Sequence, residues 1–391
     1  MHSCLKEARE QVQSLYPEPK RFSLEEITLW QFRHAESFRL APRGRSVLLG
    51  GHNGVGKTNI LEAISLLSPG RGVRQARAEQ FLNRAATPQS GWQVAARLSE
   101  TAGGYRIKTG WQSPQARRTV LIEDSKITQQ ELGEYCRMLS LGPRDDQLFL
   151  HGSEGIRRFF DRLIAVFDPA HIGRVQALRQ LQRQRREVLE APNTDKAWRE
   201  AIEKQLAAKL VVVSAARGQH GQALARVCTE CVPDFVVRDK GQDSAWNLML
   251  KGGIQERLAV SPALAVEESI AETLHAERGG YDKSDIADVW SLDLMMGGMC
   301  IPVAELSHGQ QKIAVLAMLL AQAWLMRQAL GIVPLMLLDE ALSHLDQNHQ
   351  KLLFTHLHGL KCQYWLSGVE VTRQMNFTED AMQVSLSEGQ E

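Results

Sequence analysis

The chain of 391 residues is 43% hydrophobic and 23% charged and carries a net charge of +1, a composition typical of a globular protein with two or three structural units. It contains no uninterrupted run of the roughly 20 apolar residues that a membrane helix needs. The first twenty residues are charged and lack the apolar centre of a secretory signal, so we expect a cytoplasmic protein. Because the net charge is close to zero, a polyanionic partner would have to meet a local basic patch.

The first part of the chain has the pattern of β-strands after a charged leader at residues 1–20. Residues 22–40 predict two strands around the segment 30–34, and residues 42–44 predict a turn. Further strands are expected at residues 93–97, 105–110 and 119–122. The first half therefore predicts a β-rich lobe, which we place at residues 21–150.

Within this lobe lies the pattern G-x-x-x-x-G-K-[ST], which is typical of a phosphate-binding loop. A short apolar strand at residues 46–49 precedes it, and a helical pattern at 59–64 follows it. Glycines let backbone N–H groups approach phosphate oxygens, and the helix N-terminus adds partial positive charge. Lys57 would reach the β- and γ-phosphates, and Thr58 would hold Mg²⁺. The residues expected to line a nucleoside triphosphate are Gly51, His52, Asn53, Gly54, Val55, Gly56, Lys57, Thr58 and Asn59.

From about residue 156 to 226 the sequence predicts polar helices without the sustained heptads of a long coiled coil. We therefore expect a compact helical arm at residues 151–300. Residues 171–186 contain several arginines and no acidic residue, and helical spacing places three of these arginines on one face. A phosphate backbone would neutralise that face, and so would carboxylates elsewhere in the protein. The candidate DNA-contacting residues are Arg174, Arg179, Arg183 and Arg186.

Cys228 and Cys231 form an isolated C-x-x-C pair in the predicted arm, with no second pair nearby. A zinc site needs more ligands than these two thiolates. Reduced thiols are therefore the simpler interpretation, with metal binding or redox chemistry as the alternative.

Residues 306–311 precede a long helical pattern from Lys312 to about Gln328. A Ser-x-Gly-Gln turn at a helix N-terminus can form a second anion cradle, for which a single chain has no second nucleotide. The turn is then either a plain helix cap or a contact to a nucleotide that another copy of the chain binds. The candidate nucleotide contacts are Ser307, Gly309 and Gln310.

The apolar run Leu335–Leu338 ends at two carboxylates, Asp339 and Glu340. At the carboxyl edge of a sheet Asp339 can coordinate Mg²⁺, and Glu340 can orient and deprotonate an attacking water. Alone, such a run is also an ordinary buried strand, but the phosphate loop favours the catalytic interpretation. The catalytic candidates are therefore Glu340 and Lys57, and we place the second part of an ATPase lobe at residues 301–391.

Taken in order, these motifs resemble those of the RecF family, the recombination-mediator ATPases of the SMC-like ATP-binding-cassette (ABC) group. The segments that match the family are 27–34, 51–59, 68–72, 157–161, 306–312 and 335–346. The resemblance covers almost the whole chain after residue 20. It implies an α/β fold in which an ABC-type ATPase head, a mixed β-sheet with a P-loop core, carries an inserted and mostly helical arm domain.

The resemblance also implies roles for further residues and partners. Arg33 of the opening motif would contact the nucleotide, and Asp146, with Asp145 as its rival, would act at the metal and γ-phosphate. Binding of ATP and Mg²⁺ would drive a head-to-head homodimer on DNA at single-strand/double-strand junctions, and slow, DNA-stimulated hydrolysis would release it. RecO and RecR would be partners in loading RecA during recombinational repair and replication restart.

Two segments depart from the family pattern. Residues 280–286 carry Tyr, Asp and Lys where the family has Pro, His and Arg, which leaves the role of that loop open. Residues 366–368 lack the switch histidine of many cassette ATPases, which leaves the rate of hydrolysis open. The alternatives are the ATPase subunit of an ABC transporter, and another SMC-like ATPase or scaffold that scarcely hydrolyses ATP. A nuclease-coupled cassette protein would need more residues after Glu340.

Overall fold

The chain divides into two units, which are described separately here. Unit 1 consists of Met1–Ser140, Ala323–Leu342 and Phe354–Glu391, and unit 2 consists of Leu141–Gln322 and Ser343–Leu353. The computed structural model describes residues 18–87, 90–100, 103–115, 117–143, 145, 148–191, 195–235, 247–276, 290–296, 299–369 and 380–387. Most of the predicted leader, Asp146 and the departing loop 280–286 lie outside the described residues.

The first sheet of unit 1 has five strands, most of them parallel. They are β4 (Val47–Gly50), β9 (Met138–Leu141), β14 (Leu335–Leu338), β15 (Tyr364–Gly368) and β16 (Met382–Ser385). Their order is β16-β4-β15-β14-β9, and the first four pair in parallel. Every residue of β4, β14 and β15 is buried, which explains why these strands read as continuous apolar runs. The sheet brings the carboxyl ends of β4, β14 and β15 to one edge.

The second sheet of unit 1 is antiparallel. Its strands are β2 (Ser23–Phe32), β3 (Ala35–Leu40), β5 (Gly91–Glu100), β6 (Gly103–Gln112), β7 (Thr119–Ile122) and β8 (Ser125–Ile127). They lie in the order β3-β2-β5-β6-β7-β8. The strands predicted in the first half of the chain are thus confirmed. A short parallel pair, β1 (Lys20–Arg21) with β13 (Ile332–Val333), completes the strands described in this unit.

Helix α1 (Lys57–Ser65) follows β4, and a single turn, α2 (Leu132–Tyr135), precedes β9. Ile60, Leu61 and Ile64 of α1 belong to one hydrophobic core with apolar residues of both sheets, such as Val94 and Trp365. Burial of this apolar surface, at about 25 cal/mol per Å², holds the start of α1 against the strand edge. The phosphate loop is therefore anchored at both ends by core residues.

Unit 2 contains the helices that form the inserted arm. They are α3 (Gly152–Phe167), α4 (Ala170–Glu190), α5 (Lys196–Cys231), α6 (Gly253–Val260) and α7 (Ala263–Ala276). A three-stranded antiparallel sheet accompanies them: β10 (Asn247–Gly252), β11 (Trp290–Met296) and β12 (Met299–Pro302). Leu178, Leu206, Leu210 and Ile270 form part of the core between the helices.

Two further helices are α8 (His308–Leu330), which precedes β13, and α9 (Gln347–Leu360), which lies between β14 and β15. Helix α8 begins at His308 rather than at Lys312 as predicted, because the capping turn before it continues directly into helical backbone. Among the described residues, α8 is long and apolar enough to cross a membrane. However, 72% of its most apolar window is buried inside the protein, as in the core helix of a globular domain.

Candidate functional site

The phosphate loop of unit 1 runs from the end of β4 at Gly50 to the start of α1 at Lys57. Gly51, Gly54 and Gly56 have φ values of 142°, 88° and 104°, a left-handed region that L side chains rarely adopt. A Cβ at Gly51 would also lie 2.6 Å from the carbonyl oxygen of Leu386. These glycines therefore allow a turn that other residues would strain. His52, Asn53 and Gly54 are exposed at its tip, and Val55 is half-buried.

Lys57 is buried at the foot of this loop, with 5% of its surface exposed. Its ammonium donates to the carbonyl oxygens of Gly51, at 2.7 Å, and His52, at 3.0 Å, and lies 3.7 Å from Oε1 of Glu340. The positive charge is thus held inside the curl of the loop by two carbonyl dipoles. A small movement of the Lys57 side chain would bring its ammonium from these carbonyl oxygens to a phosphate bound in the loop.

Asp339 lies at the end of β14, opposite the first turn of α1. Its Oδ1 accepts hydrogen bonds from the hydroxyls of Thr58, at 3.2 Å, and Ser367. Its Oδ2 is buried and has no hydrogen-bond partner among the described residues. A buried carboxylate oxygen without a donor is unfavourable unless a cation or water meets it. Oxygen ligands also suit Mg²⁺, so Thr58 and Asp339 fit the predicted metal site.

Glu340 follows directly and has a left-handed backbone, with φ of 49°. Its N–H donates to the hydroxyl of Ser367 at 3.0 Å. A non-glycine residue in this conformation costs of order 1 kcal/mol, and such strain persists only where surrounding contacts impose it. The conformation brings the Glu340 carboxylate towards Lys57.

Arg33 pairs with a carboxylate of the protein. Its Nε and Nη2 donate to the two oxygens of Glu62, at 2.8 and 2.9 Å, and its guanidinium lies over the Phe81 ring. Glu62 is fully buried on α1, so Arg33 neutralises a charge that could not otherwise be buried. The predicted contact of Arg33 with the nucleotide stays a prediction.

Three residues around α1 were not predicted from the sequence as parts of the site. Arg74 donates to Oδ1 of Asn59 at 2.9 Å and also pairs with Glu62, which links the predicted ligand Asn59 to the buried carboxylate. The third is Arg118, whose guanidinium donates to the carbonyl oxygens of Ser68 and Gly70, both at 3.0 Å. Burial lowers the pKa of Arg118 to about 10. A lone arginine distant in sequence carries no local motif that could have identified it.

In unit 2 the predicted anion cradle is the turn that starts α8. The Ser307 hydroxyl accepts from the N–H of Gln310 and donates to its side-chain oxygen, so it caps the helix. A Cβ at Gly309 would lie 3.2 Å from the carbonyl oxygen of His344, which itself has a left-handed φ of 63°. Lys312 donates to the Ser343 hydroxyl at 2.6 Å. The cradle and the segment 343–346 are therefore closely packed.

A cavity of about 290 Å³ opens beside this turn in unit 2. Its lining residues are Asp145, Phe149, His308, Gln311, Lys312, Val315 and His344. Both oxygens of Asp145 are engaged within the unit, Oδ2 by the N–H of Gly142 at 2.7 Å and Oδ1 by Arg162. Since Asp145 already holds this turn together, Asp146 stays the preferred metal or γ-phosphate residue, although its placement lies outside the described chain.

The arm arginines have different surroundings along α4. Arg179, Arg183 and Arg186 are exposed and have no hydrogen bond or ion pair with another described residue. Arg174 is half-buried and pairs with Asp168. Three of the four candidates thus form an unpaired basic face, and Arg174 is partly neutralised.

The C-x-x-C pair lies on α5. Burial raises the pKa of the Cys228 thiol to about 12, and its Sγ lies 3.6 Å from the carbonyl oxygen of Ala317. Such a thiol is unreactive as a nucleophile. Across the described residues, no cluster of three or more His, Cys, Asp or Glu side chains forms a metal site.

Comparison with known sequences places these features in a family. A family model, the RecF/RecN/SMC N-terminal domain, matches residues 23–390. The chain is 32% identical over 378 residues to the DNA replication and repair protein RecF of Brucella suis biovar 1, covering 95% of this chain and 96% of that protein. It is 36% identical over 358 residues to the RecF of Caulobacter vibrioides, covering 88% and 91%.

Comparison with solved structures concerns the fold. The structure of the recombination mediator protein RecF-ATPrS in the RecFOR pathway has a TM-score of 0.78 at 18% identity, covering 96% of this chain and 98% of that one. The Smc head domain of Pyrococcus furiosus with an extended coiled coil, bound to the C-terminal domain of ScpA, has a TM-score of 0.53 at 15% identity, covering 94% of each chain. The predicted ABC-type head with an inserted helical arm is thereby confirmed.

Proposed function

Because this chain belongs to the RecF family of DNA replication and repair proteins, we propose that it is an ATP-driven switch that binds DNA. The observation that carries the proposal is the convergence of Lys57, Thr58, Asp339 and Glu340 at one corner of unit 1. Each of these side chains has a chemistry that suits triphosphate binding and hydrolysis.

The proposed chemistry assigns one task to each residue. Lys57 moves from its two carbonyl partners to the β- and γ-phosphates, and the loop N–H groups bind the remaining phosphate oxygens. Thr58 and Asp339 would hold Mg²⁺, which would neutralise charge on the phosphates when bound. Glu340 accepts a hydrogen bond from the attacking water and takes its proton.

We infer that the second anion cradle serves a second copy of the chain. Ser307, Gly309 and Gln310 would contact the γ-phosphate of the nucleotide held by the other copy, so that two ATP molecules join the heads. The partial positive charge at the N-terminus of α8 suits a phosphate. Hydrolysis removes the bridging γ-phosphate, and the dimer then separates.

The basic face of Arg179, Arg183 and Arg186 would bind the DNA backbone without regard to sequence. From the family we infer a preference for single-strand/double-strand junctions, slow hydrolysis that DNA stimulates, and a cytoplasmic location. We also infer that RecO and RecR are partners and that the complex assists loading of RecA. A solved relative described as a recombination mediator of the RecFOR pathway supports this assignment.

The transporter alternative is not favoured, because the matching relatives are replication and repair proteins over nearly the whole chain. A scaffold that binds ATP but scarcely hydrolyses it is distinguished by turnover. It would form the dimer and retain DNA while releasing no phosphate.

The test is retention of a gapped duplex with and without Mg-ATP, measured together with oligomeric state. We expect ATP-dependent dimerisation and ATP-dependent DNA retention, and we expect Lys57→Met to abolish both. Lys126→Met, which removes an exposed lysine from β8 in the same unit, is the matched control. DNA retention that stays ATP-dependent in Lys57→Met would refute the phosphate-loop assignment, and a dimer indifferent to DNA would refute the DNA role.

A further inference from the structure

Ser367 lies near the end of β15, at the position where the sequence shows only the absence of a switch histidine. Its side chain is fully buried, with 0% of its surface exposed. Burial of a hydroxyl without hydrogen-bond partners is unfavourable. Its two partners are Asp339 and Glu340, the acidic residues that directly follow the neighbouring strand β14.

The hydroxyl acts as a donor and as an acceptor at the same time. It donates its proton to Oδ1 of Asp339. It accepts the backbone N–H of Glu340 at 3.0 Å. One oxygen atom on β15 therefore contacts both the proposed metal ligand and the backbone of the proposed general base.

The donated bond determines which carboxylate oxygen of Asp339 is available. Oδ1 receives two hydroxyls, those of Ser367 and Thr58, whereas Oδ2 is buried without a hydrogen-bond partner among the described residues. Rotation of the carboxylate would break both bonds. Ser367 thus keeps Oδ2 as the oxygen that is open to a cation.

The accepted bond restrains a strained backbone. Glu340 has a left-handed φ of 49°, and a relaxed φ would turn its N–H away from Ser367 and its side chain away from Lys57. The hydroxyl therefore offsets part of the cost of the conformation that aims the Glu340 carboxylate. Alanine at position 367 would remove both restraints at once.

We propose that Ser367 is a positioning residue for ATP hydrolysis, acting through Asp339 on the metal and through the Glu340 backbone on the general base. This inference rests on the proposed function of the phosphate-loop corner. The hydrogen bonds of the Ser367 hydroxyl go to Asp339 and to the backbone of Glu340, so its proposed effect is to position these two acidic residues.

The experiment compares Ser367→Ala with Ser367→Thr, which keeps the hydroxyl. Loss of a hydrogen-bond partner behind a metal ligand typically lowers metal affinity or activity about 10- to 100-fold. We expect Ser367→Ala to lower both kcat and the Mn²⁺ affinity, measured by electron paramagnetic resonance with a non-hydrolysed ATP analogue, by about this factor. ATP affinity in EDTA should stay at the wild-type level, and Ser367→Thr should retain kcat and Mn²⁺ affinity.

Amide hydrogen exchange gives a readout that needs neither metal nor nucleotide. Because the Glu340 N–H loses its acceptor in Ser367→Ala, its exchange should become faster, and in Ser367→Thr it should not. Ser46→Ala is the matched control, since the Ser46 hydroxyl accepts the N–H of Tyr364 at 3.1 Å at the other end of the same strand. Ser46→Ala should leave Glu340 exchange, kcat and Mn²⁺ affinity unchanged.

If Ser367→Ala does not fold, Ser367→Cys keeps a similar side-chain volume with a much weaker donor and should show the same losses. Wild-type Mn²⁺ affinity, kcat and Glu340 exchange in the Ala or Cys variant would overturn the positioning role alone. A wild-type protein that neither binds Mn²⁺ with ATP nor hydrolyses ATP would instead overturn the proposed function, and the exchange experiment would still test the Ser367 bond.

Discussion

The phosphate-loop corner of unit 1 and helix α4 of unit 2 are both rich in charged side chains, but these side chains differ in whether they have partners within the protein. In the corner and around the adjacent helix α1, charged side chains have partners in the protein. The Lys57 ammonium lies against two carbonyl oxygens, and the buried Glu62 is neutralised by Arg33 and Arg74. On α4 the arginines 179, 183 and 186 point into solvent without a partner among the described residues. The corner is preorganised within the protein, whereas the proposed arm face would gain a partner only on binding DNA.

The two adjacent arginines at the end of α4 make the same contrast within one helical turn. Arg185 is buried and bonds to Glu203 at 3.2 Å and to the carbonyl oxygen of Leu274 at 2.6 Å. Arg186 is exposed. One step along a helix rotates a side chain by about 100°, which is enough to separate a buried structural arginine from an exposed one with a proposed binding role. Residue type alone does not distinguish these two arginines, whereas helical spacing places Arg186, and not Arg185, on one face with Arg179 and Arg183.

The largest effect is expected in the corner. Glu340→Gln keeps the size of the side chain but removes the proton acceptor, and general-base catalysis typically contributes about 10²- to 10⁴-fold. ATP hydrolysis should fall by that factor while Mg-ATP still binds. Since the γ-phosphate persists, the dimer should be trapped, and gel filtration with Mg-ATP should detect it.

Glu123→Gln, which changes an exposed glutamate after β7, is the control for loss of one carboxylate in the same unit. It should hydrolyse ATP at the wild-type rate. Elution of Glu340→Gln as a monomer with Mg-ATP would contradict the proposal that ATP joins two heads.

The arm face should respond in a different observable, the salt dependence of DNA binding. Replacing Arg179, Arg183 and Arg186 together with alanine should reduce the slope of log K against log[salt] by about 3, since each phosphate contact contributes about 1. ATP-dependent dimerisation should be unchanged. Filter binding across a salt series measures the slope.

Arg226→Ala is the control for this triple variant. Arg226 is 69% exposed but lies 3.9 Å from Glu230, so its charge is already matched within α5. An unchanged salt slope in the triple variant would make the α4 face an ordinary solvated surface and direct attention to another basic region.

The sequence predicted most of the corner because its residues lie in contiguous motifs whose spacing reflects one strand, one turn and one helix. Lys57, Thr58, Asp339 and Glu340 were all identified in this way. Ser367 was missed because its function comes from the neighbouring strand, and only the pairing of β14 with β15 brings it to Asp339. Arg118 was missed for a similar reason, since its partners lie about fifty residues earlier in the chain.

The fold was predictable where burial produces a simple pattern. Strands were expected from the apolar runs of β4 and β14 and from the pattern of β2. Helices were expected from the polar pattern of the arm. The start of α8 was displaced because helix caps are set by a few hydrogen bonds, here those of Ser307 and Gln310. On α4 helical spacing predicted a shared face for Arg186, Arg183 and Arg179, but the buried role of Arg185 depends on partners in other helices, Glu203 and the carbonyl oxygen of Leu274.

A smaller effect is expected when the buried Arg185 is replaced, and it concerns the free energy of unfolding. Arg185→Ala leaves Glu203 buried with Arg199, at 2.9 Å, and His275, at 3.3 Å. Removing one partner of a buried ion pair typically costs about 3–5 kcal/mol, and the remaining partners should reduce the loss to about 2–3 kcal/mol. Urea unfolding measures the change. The exposed neighbour Arg186→Ala should change the free energy of unfolding by less than about 0.5 kcal/mol, and equal losses in the two variants would refute the division of roles on α4.

The smallest effect is a pH dependence of stability in the arm. Burial, with a further contribution from the nearby His171, holds the pKa of His220 below its usual value, although the hydrogen bond to Gln322 at 2.7 Å opposes this. The unfolded chain then binds a proton at His220 near pH 6.5, and the folded protein does so only at lower pH. Stability contributed by the neutral imidazole is therefore present above about pH 6.5 and declines as the pH falls towards the folded pKa.

His220→Gln keeps a neutral donor to Gln322 and should flatten the decline in thermal midpoint between about pH 7 and 5. The variant His34→Gln, at an exposed position, is the control for removal of one histidine. A decline that is equally steep in both variants would show that His220 is not the group that titrates.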